Sequence, residues 1–161
     1  MAHATLRPVE NGLSQEARGN IVLQLAGILD DVYSLMIRTH IYHWNVEGSL
    51  FEPVHRMTEA QYTRLFANVD ELAERVRALD GKPAVNVNVF PTGVSNLSEN
   101  QTAESMIADL LCQHETVVRR MRTAVTAADE VADVVTADML TGMMAQHEKD
   151  AWMLRAMLKR C

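Results

Sequence analysis

Between positions 43 and 74, the two histidines and three of the carboxylates form a regular pattern: His43, His55, Glu59, Asp70 and Glu74. His55 and Glu59 are four residues apart, and so are Asp70 and Glu74. In a helix, each of these pairs would project from one face. Mixed imidazole and carboxylate ligands suit iron or manganese, and zinc less exclusively. Residue type and spacing therefore predict a metal site that helices must position.

The two pairs cannot reach one metal ion from a single helix. His55 and Asp70 are 15 residues apart, which corresponds to about 22 Å along a helix axis, whereas metal–ligand bonds are about 2 Å long. The pairs either serve separate purposes or meet between two molecules. Because they are placed symmetrically about positions 64 and 65, two antiparallel copies crossing there would form two identical sites in a twofold dimer. His43 could fold back to complete each site.

The elements that must position these residues are predicted to be helices. The chain has only four Pro and seven Gly in 161 residues, which leaves long uninterrupted stretches, and apolar residues recur in them at helical spacing. The predicted helices run from Ser14 to about Val46, from a capping box at Ser49–Glu52 to Leu79 or Asp80, from a cap at Ser98–Gln101 through Val125, and from near Thr136 onward.

Two helix pairs joined by one long connector predict an all-α, four-helix bundle with a crossover between helices 2 and 3. The connector, residues 81–100, contains Val85–Phe90, which could also be a short strand; we prefer an extended crossover because no partner strand is visible. Residues 1–13 are expected to be a flexible tail, and residues 14–161 a single domain.

Composition narrows the class of protein further. A 48% apolar and 22% charged chain is an ordinary globular protein. The absence of a run of about 18 apolar residues argues against a membrane span, and the N-terminus lacks the apolar core of a signal peptide. The net charge of −6 argues against general attraction to nucleic acid. Two isolated cysteines, Cys112 and Cys161, suit a reducing cytoplasm.

Four blocks of sequence carry a family resemblance: His43-Trp44-Asn45-Val46-x-Gly48-x-x-Phe51-x-x-x-His55, Asp70-Glu71-x-Ala73-Glu74-Arg75, Thr136-Ala-Asp138-Met-Leu140 and Trp152-Met-Leu-Arg-Ala156. Together they closely resemble the Dps family, the ferritin-like mini-ferritins of bacteria, over about residues 15–158. The first block is highly specific for this family.

The resemblance implies a dodecameric shell of ferritin-like subunits, built from twofold dimers, with ferroxidase sites at the twofold interfaces. It assigns His43, His55 and Glu59 to one subunit of each site, and Asp70 and Glu74 to its mate. The family often has Asp where this chain has Glu59, and the longer side chain could alter how the second iron binds.

Other residues are open to two interpretations. Trp44 is either a packing residue or, as the family implies, a neighbour of the iron site that absorbs oxidising equivalents. Three aspartates either cap and solvate the turn before the last helix or, as the family implies, ring an iron-entry pore at a threefold axis; these are Asp129, Asp133 and Asp138.

Several polar residues are expected to be structural. Glu52 is interpreted as the partner of Ser49 in a capping box rather than as a metal ligand. Three histidines are expected to be structural or on the surface: His40, His114 and His147. Three arginines are expected to form ion pairs between subunits: Arg119, Arg120 and Arg122.

The leading functional hypothesis is a ferroxidase and iron store that oxidises Fe(II) with hydrogen peroxide and stores ferric mineral in a cytoplasmic shell, protecting against oxidative stress. The alternative is a nucleoid-associated structural protein that compacts DNA. The tail argues against it, because the first lysine is Lys82 and the first 20 residues hold only Arg7 and Arg18, balanced by Glu10 and Glu16.

Overall fold

Four long helices make up most of residues 9–86 and 101–158, the part of the chain that this computed structural model describes. They are α1 (Gln15–Asn45), α2 (Phe51–Ala78), α3 (Ala103–Glu130) and α4 (Val134–Leu158), with a single 3₁₀ turn at Gly48–Leu50. α1 packs mainly on α2, and α3 on α4, while α1 also lies against α3. No strand occurs in these two segments, and the predicted all-α bundle is confirmed.

The core of the bundle is formed by the apolar stripe of α1 and the facing stripes of the other helices. Leu25, Ile28 and Val32 of α1 have no exposed surface, and neither have Leu110 of α3 and Leu140 of α4. Burying a side chain of this size contributes about 1.5–3 kcal/mol. α1 is by length and composition apolar enough to cross a membrane. Its place in the core accounts for that composition, because a buried bundle helix has the same character.

The predicted cap of α1 is confirmed, whereas the predicted side-chain cap of α2 is wrong. The Ser14 hydroxyl caps α1 by accepting a hydrogen bond of 3.1 Å from the Ala17 amide. Ser49 instead lies inside the 3₁₀ turn, and α2 begins after Leu50 without a side-chain cap. Glu52 forms an ion pair with Arg56, one helical turn further on. The 3₁₀ turn at Gly48–Leu50 therefore leads into α2 in place of the predicted capping box.

α2 ends where the sequence predicts, through a closed C-terminal turn. Asp80 adopts a left-handed backbone conformation with φ of 69°. The amide of Gly81 donates to the Val76 carbonyl at 2.9 Å. A Cβ at Gly81 would come within 2.8 Å of Val76 and 2.9 Å of Val22, so a side chain at this position would collide with the α1–α2 contact.

The second helix pair begins close to its predicted positions. Thr102, rather than Ser98–Gln101, caps α3 by accepting from the Ser105 amide, and α4 begins two residues before Thr136. In the connector, residues 81–86 are irregular, while the rest of the stretch considered as a strand lies outside the described residues. Most of the expected N-terminal tail, residues 1–8, also lies outside them.

Candidate metal centre

The end of α1 and the start of α2 bring two of the predicted ligands together. Gly48, with φ of 83°, reverses the chain between the helices. The imidazole rings of His43 and His55 consequently stack with centroids 3.8 Å apart and an interplanar angle of 16°. His43 is 8% exposed, so the pair lies at the edge of the subunit's core.

Each histidine is held by the backbone of the other. Nδ1 of His43 lies 2.9 Å from the His55 carbonyl oxygen, and Nδ1 of His55 lies 2.8 Å from the His43 carbonyl oxygen. A carbonyl oxygen can only accept, so both Nδ1 atoms must carry the proton. In a neutral imidazole held this way, Nε2 keeps a free lone pair, which is the form of histidine that binds a metal ion.

The side chain beneath this pair helps to fix it. Thr58 is completely buried, and its hydroxyl donates to the Val54 carbonyl at 2.7 Å. The same hydroxyl oxygen lies 3.4 Å from His43 Nδ1. The two imidazoles are therefore positioned before any metal ion arrives, which lowers the cost of binding one.

The three candidate carboxylates lie exposed on the outside of α2. At 3.6 residues per turn, His55, Glu59, Asp70 and Glu74 fall within an arc of roughly 100°. α2 is one continuous helix, so the pairs at its two ends cannot meet within a subunit. Accordingly, no group of three or more candidate ligands comes together within residues 9–86 and 101–158. A complete site from these residues requires a second chain, and that arrangement stays a prediction.

The same face of α2 carries an unusually exposed aromatic ring. Phe66 is 66% exposed. It lies between Glu59 and Asp70 in sequence, and at 3.6 residues per turn it falls on the same arc of the helix as the candidate ligands. Phe51 at the start of α2 is 46% exposed. Large apolar side chains beside charged ones on an outer helix face are typical of an interface between protein chains.

An aromatic cluster that the sequence did not predict adjoins His43. The His40 ring lies 4.1 Å from the Trp44 ring and 4.3 Å from the Tyr62 ring, and Tyr62 packs edge-on against His43 with centroids 5.2 Å apart. Trp44 is 63% exposed, and its ring contacts that of His40. The spacing of four residues between His40 and Trp44 could have indicated that their rings meet on one face of α1. Nothing in the sequence indicated that Tyr62 of α2 would join them.

The aspartates near the last turn divide into two kinds. Asp129 and Asp138 are exposed. Asp133 is only 3% exposed and receives hydrogen bonds from Arg75 and Thr136 at 2.6 Å each. Burial alone would raise the pKa of Asp133, but these hydrogen bonds outweigh it and lower the pKa overall. The expected pore role of Asp133 is therefore corrected to that of the residue that caps α4.

The structure also bears on the expectations for the arginines of α3 and for two of the histidines. Arg120 pairs with Asp31, and Arg122 with Glu148, within the same subunit. Arg120 and Arg122 therefore pair within the subunit instead of between subunits, while the expectation for Arg119 stays a prediction. His114 and His147 are structural as expected, since both are buried in the bundle interior.

Comparison with known proteins agrees with this architecture. The sequence model of the ferritin-like domain matches residues 22–161. An uncharacterized low temperature-induced protein of Nostoc sp. is 38% identical, over 92% of this chain and 85% of its own length. DNA protection during starvation protein 2 of Bacillus anthracis is 33% identical, over 78% of this chain and 88% of its own.

Solved structures resemble the bundle closely. Dps from Thermosynechococcus elongatus superposes with a TM-score of 0.80 at 28% identity, covering 91% of this chain and 94% of its own. The Dps protein of Vibrio cholerae, described as a ferritin-like diiron-carboxylate protein, gives 0.81 at 26% identity, over 96% and 100%. The fold thus defines a ferritin-like protein. Within that class, the chain belongs to the Dps family.

Proposed function

We propose that this protein is a ferroxidase and iron store, and that the His43–His55 pair is the histidine half of its oxidation site. The observation that carries the proposal is the reciprocal backbone contact that leaves both Nε2 lone pairs free. Iron(II) accepts imidazole and carboxylate ligands together. Membership in a family that includes a named diiron-carboxylate protein supports iron over other metals.

The second half of the site would come from another copy of the chain. Glu59 would join the two histidines, and Asp70 and Glu74 of the partner would face them across a twofold axis near the middle of α2. The exposed Phe66 supports this pairing, because it would be removed from water where the two helices cross. We propose that such dimers assemble into a dodecameric shell.

The proposed reaction transfers electrons from Fe(II) to hydrogen peroxide. Two Fe(II) ions each lose one electron, and one peroxide molecule takes up both and is reduced to two hydroxide ions, which become water on protonation. The neutral imidazoles hold iron in either oxidation state, while the carboxylates favour the more highly charged Fe(III) product. The ferric product would then be stored inside the shell.

Exposed carboxylates provide a route for iron to enter. Asp129 and Asp138 lie near the turn between α3 and α4 and are exposed. Three copies around an axis would concentrate negative potential and attract Fe(II). We propose this as the entry pore, in a protein that works in the cytoplasm, where it would protect against oxidative stress.

The test is peroxide-driven iron oxidation by the double variant His43→Ala/His55→Ala. Loss of two ligands should slow the reaction by about 10-fold or more. Native mass measurement of the same sample should show an unchanged assembly, which separates a lost site from a lost shell. An unchanged rate with an intact shell would contradict the site assignment.

The alternative, a DNA-compacting structural protein, has weaker support. Several relatives are named for DNA protection, but many cations of this chain are already neutralised within the subunit. Arg64, Arg75, Arg120, Arg122 and Arg155 all form ion pairs with acidic side chains. The net charge of −6 also opposes the approach of the chain to phosphates. A gel-shift assay at physiological salt should show no retardation of DNA; robust retardation would favour the alternative.

A further inference from the structure

The middle of the bundle contains a buried polar cluster that the proposed iron site does not use. His114 lies in the buried stripe of α3, between Leu110 and Val117, and His147 lies in that of α4. Their Nδ1 atoms are 2.9 Å apart, and the residues are 0% and 1% exposed. The interaction spans 33 residues of sequence, so it joins the two helices directly.

This contact determines the protonation of both rings. Burial, together with the nearby charge of Arg64, lowers the pKa of each imidazole to about 3. Both rings are therefore neutral near pH 7. A hydrogen bond between two Nδ1 atoms requires one to carry the proton and the other to offer a lone pair. It follows that one Nε2 has a lone pair and the other Nε2 carries a proton.

Gln61 of α2 belongs to the same layer of the bundle. It is 1% exposed and precedes Arg64 by nearly one turn. Arg64 binds both carboxylate oxygens of Asp150, at 2.9 and 2.7 Å, and Asp150 follows His147 by nearly one turn. Arg64 thus brings this part of α2 level with the histidine pair, and Gln61, being buried, faces the interior of the bundle.

Four atoms of this layer are buried without a hydrogen-bond partner among the described residues: Nε2 of His114, Nε2 of His147, and Nε2 and Oε1 of Gln61. A buried polar atom left without a hydrogen-bond partner destabilises the folded state. Four such atoms in one layer would therefore offset much of the stability of an ordinary domain. A bound ligand that satisfies them removes this cost.

The chemistry of the four atoms selects the ligand. They include N–H donors, on one imidazole and on the amide, and acceptors, on the other imidazole and the amide oxygen. An anion would find too few donors, and a divalent cation would face one protonated Nε2 and the positive charge of Arg64. The carboxylate of Asp150, which could have held a cation, is engaged by Arg64. A small neutral molecule that both donates and accepts fits all of them.

We propose that His114, His147 and Gln61 form an internal water-binding site in the middle of the four-helix bundle, where ordered water bridges the two imidazole Nε2 atoms and the Gln61 amide. A buried water usually makes about three hydrogen bonds, and the four atoms supply that number from three helices. The bound water thus links α2, α3 and α4 at a level where direct polar contacts between α2 and the imidazoles are not made.

A high-resolution crystal structure of the unaltered protein tests this directly. We expect one or two density peaks at hydrogen-bonding distance, about 2.7–3.2 Å, from these nitrogen and oxygen atoms, without anomalous scattering at the zinc or iron absorption edges. An anomalous peak between the rings would identify a metal site and overturn the proposal. A layer closed by direct side-chain contacts, without density between them, would overturn it equally.

A measurement of internal water in solution provides a second test of the proposal. Oxygen-17 magnetic relaxation dispersion counts long-lived internal waters, and Gln61→Met, which keeps length but removes both polar atoms, should lower the count by at least one per chain. Gln15→Met, a change at an exposed residue of α1, should leave it unchanged. An equal count in the Gln61 variant and the unaltered protein would contradict the proposal.

Discussion

Arg75 in α2 donates a hydrogen bond of 2.6 Å to Asp133, the residue that caps α4. Their side chains are 14% and 2% exposed, so the ion pair is largely removed from water. Asp133 also accepts from the amide and the hydroxyl of Thr136. One carboxylate therefore ends the turn after α3, starts α4 and joins it to α2.

Replacing Asp133 by alanine should destabilise the fold strongly, because it leaves Arg75 buried without its counter-charge and removes a helix cap. We expect a loss of about 3–5 kcal/mol in the free energy of unfolding, measured by urea titration at neutral pH. Asp138→Ala, at an exposed aspartate of the same helix, should change stability by less than about 0.5 kcal/mol. Similar losses of stability in both variants would show that the buried Arg75–Asp133 ion pair contributes no more than an exposed aspartate does.

Stability should fall in mild acid because of His114 and His147. Their folded pKa values of about 3 lie below the ordinary value of 6.5, so the unfolded chain binds more protons between these limits. The stabilising contribution is complete above pH 6.5 and is lost as the pH falls toward 3. For each histidine, the free energy of unfolding should fall by about 2 kcal/mol between pH 6.5 and 5. The charged groups that face the two imidazoles are Arg64 and Asp150.

Urea midpoints measured from pH 7.5 to 5 would show this slope. The double variant His114→Asn/His147→Asn keeps polar groups in the layer but cannot titrate there, and its stability should depend less on pH over the same range. A slope as steep as that of the unaltered protein would assign the acid sensitivity to other groups.

Phe66→Glu should separate the copies that we propose to pair through α2. A carboxylate at this exposed position would face the carboxylates of the same helix face and remove the apolar contact. Native mass measurement should show smaller species, and peroxide-driven iron oxidation should fall although His43 and His55 are unchanged. Phe66→Leu, which keeps an apolar side chain, should retain both assembly and activity; full activity of a monomeric Phe66→Glu variant would contradict a shared site.

Glu59 should act through its charge rather than its length. Glu59→Gln keeps the size but removes the negative charge, and we expect about 10-fold slower iron oxidation. Glu59→Asp keeps the carboxylate that the family often has at this position and should remain within a few-fold of the unaltered rate. Stopped-flow absorbance measures both; equal rates for Glu59→Gln and the unaltered protein would exclude Glu59 as a ligand.

Local patterns in the sequence predicted the helices well and some of their ends less well. The Ser14 cap and the stop near Gly81 depend on residues within two turns of one another, so the sequence alone revealed them. The Ser49 cap failed because the contact between α1 and α2 determines how the chain turns at Gly48. Of the two interpretations of Asp133, the structure shows the cap, and the local sequence could not decide between them because the partner Arg75 lies 58 residues away.

For this protein, the sequence by itself determined the helical architecture, the family and the candidate ligands for iron, since periodicity and motif spacing are properties of short segments. Only the tertiary structure decided the protonation of His43 and His55, the aromatic cluster around Tyr62 and the contact of His114 with His147. Those features depend on atoms from different helices meeting within about 3–5 Å, and packing of the whole bundle sets such distances.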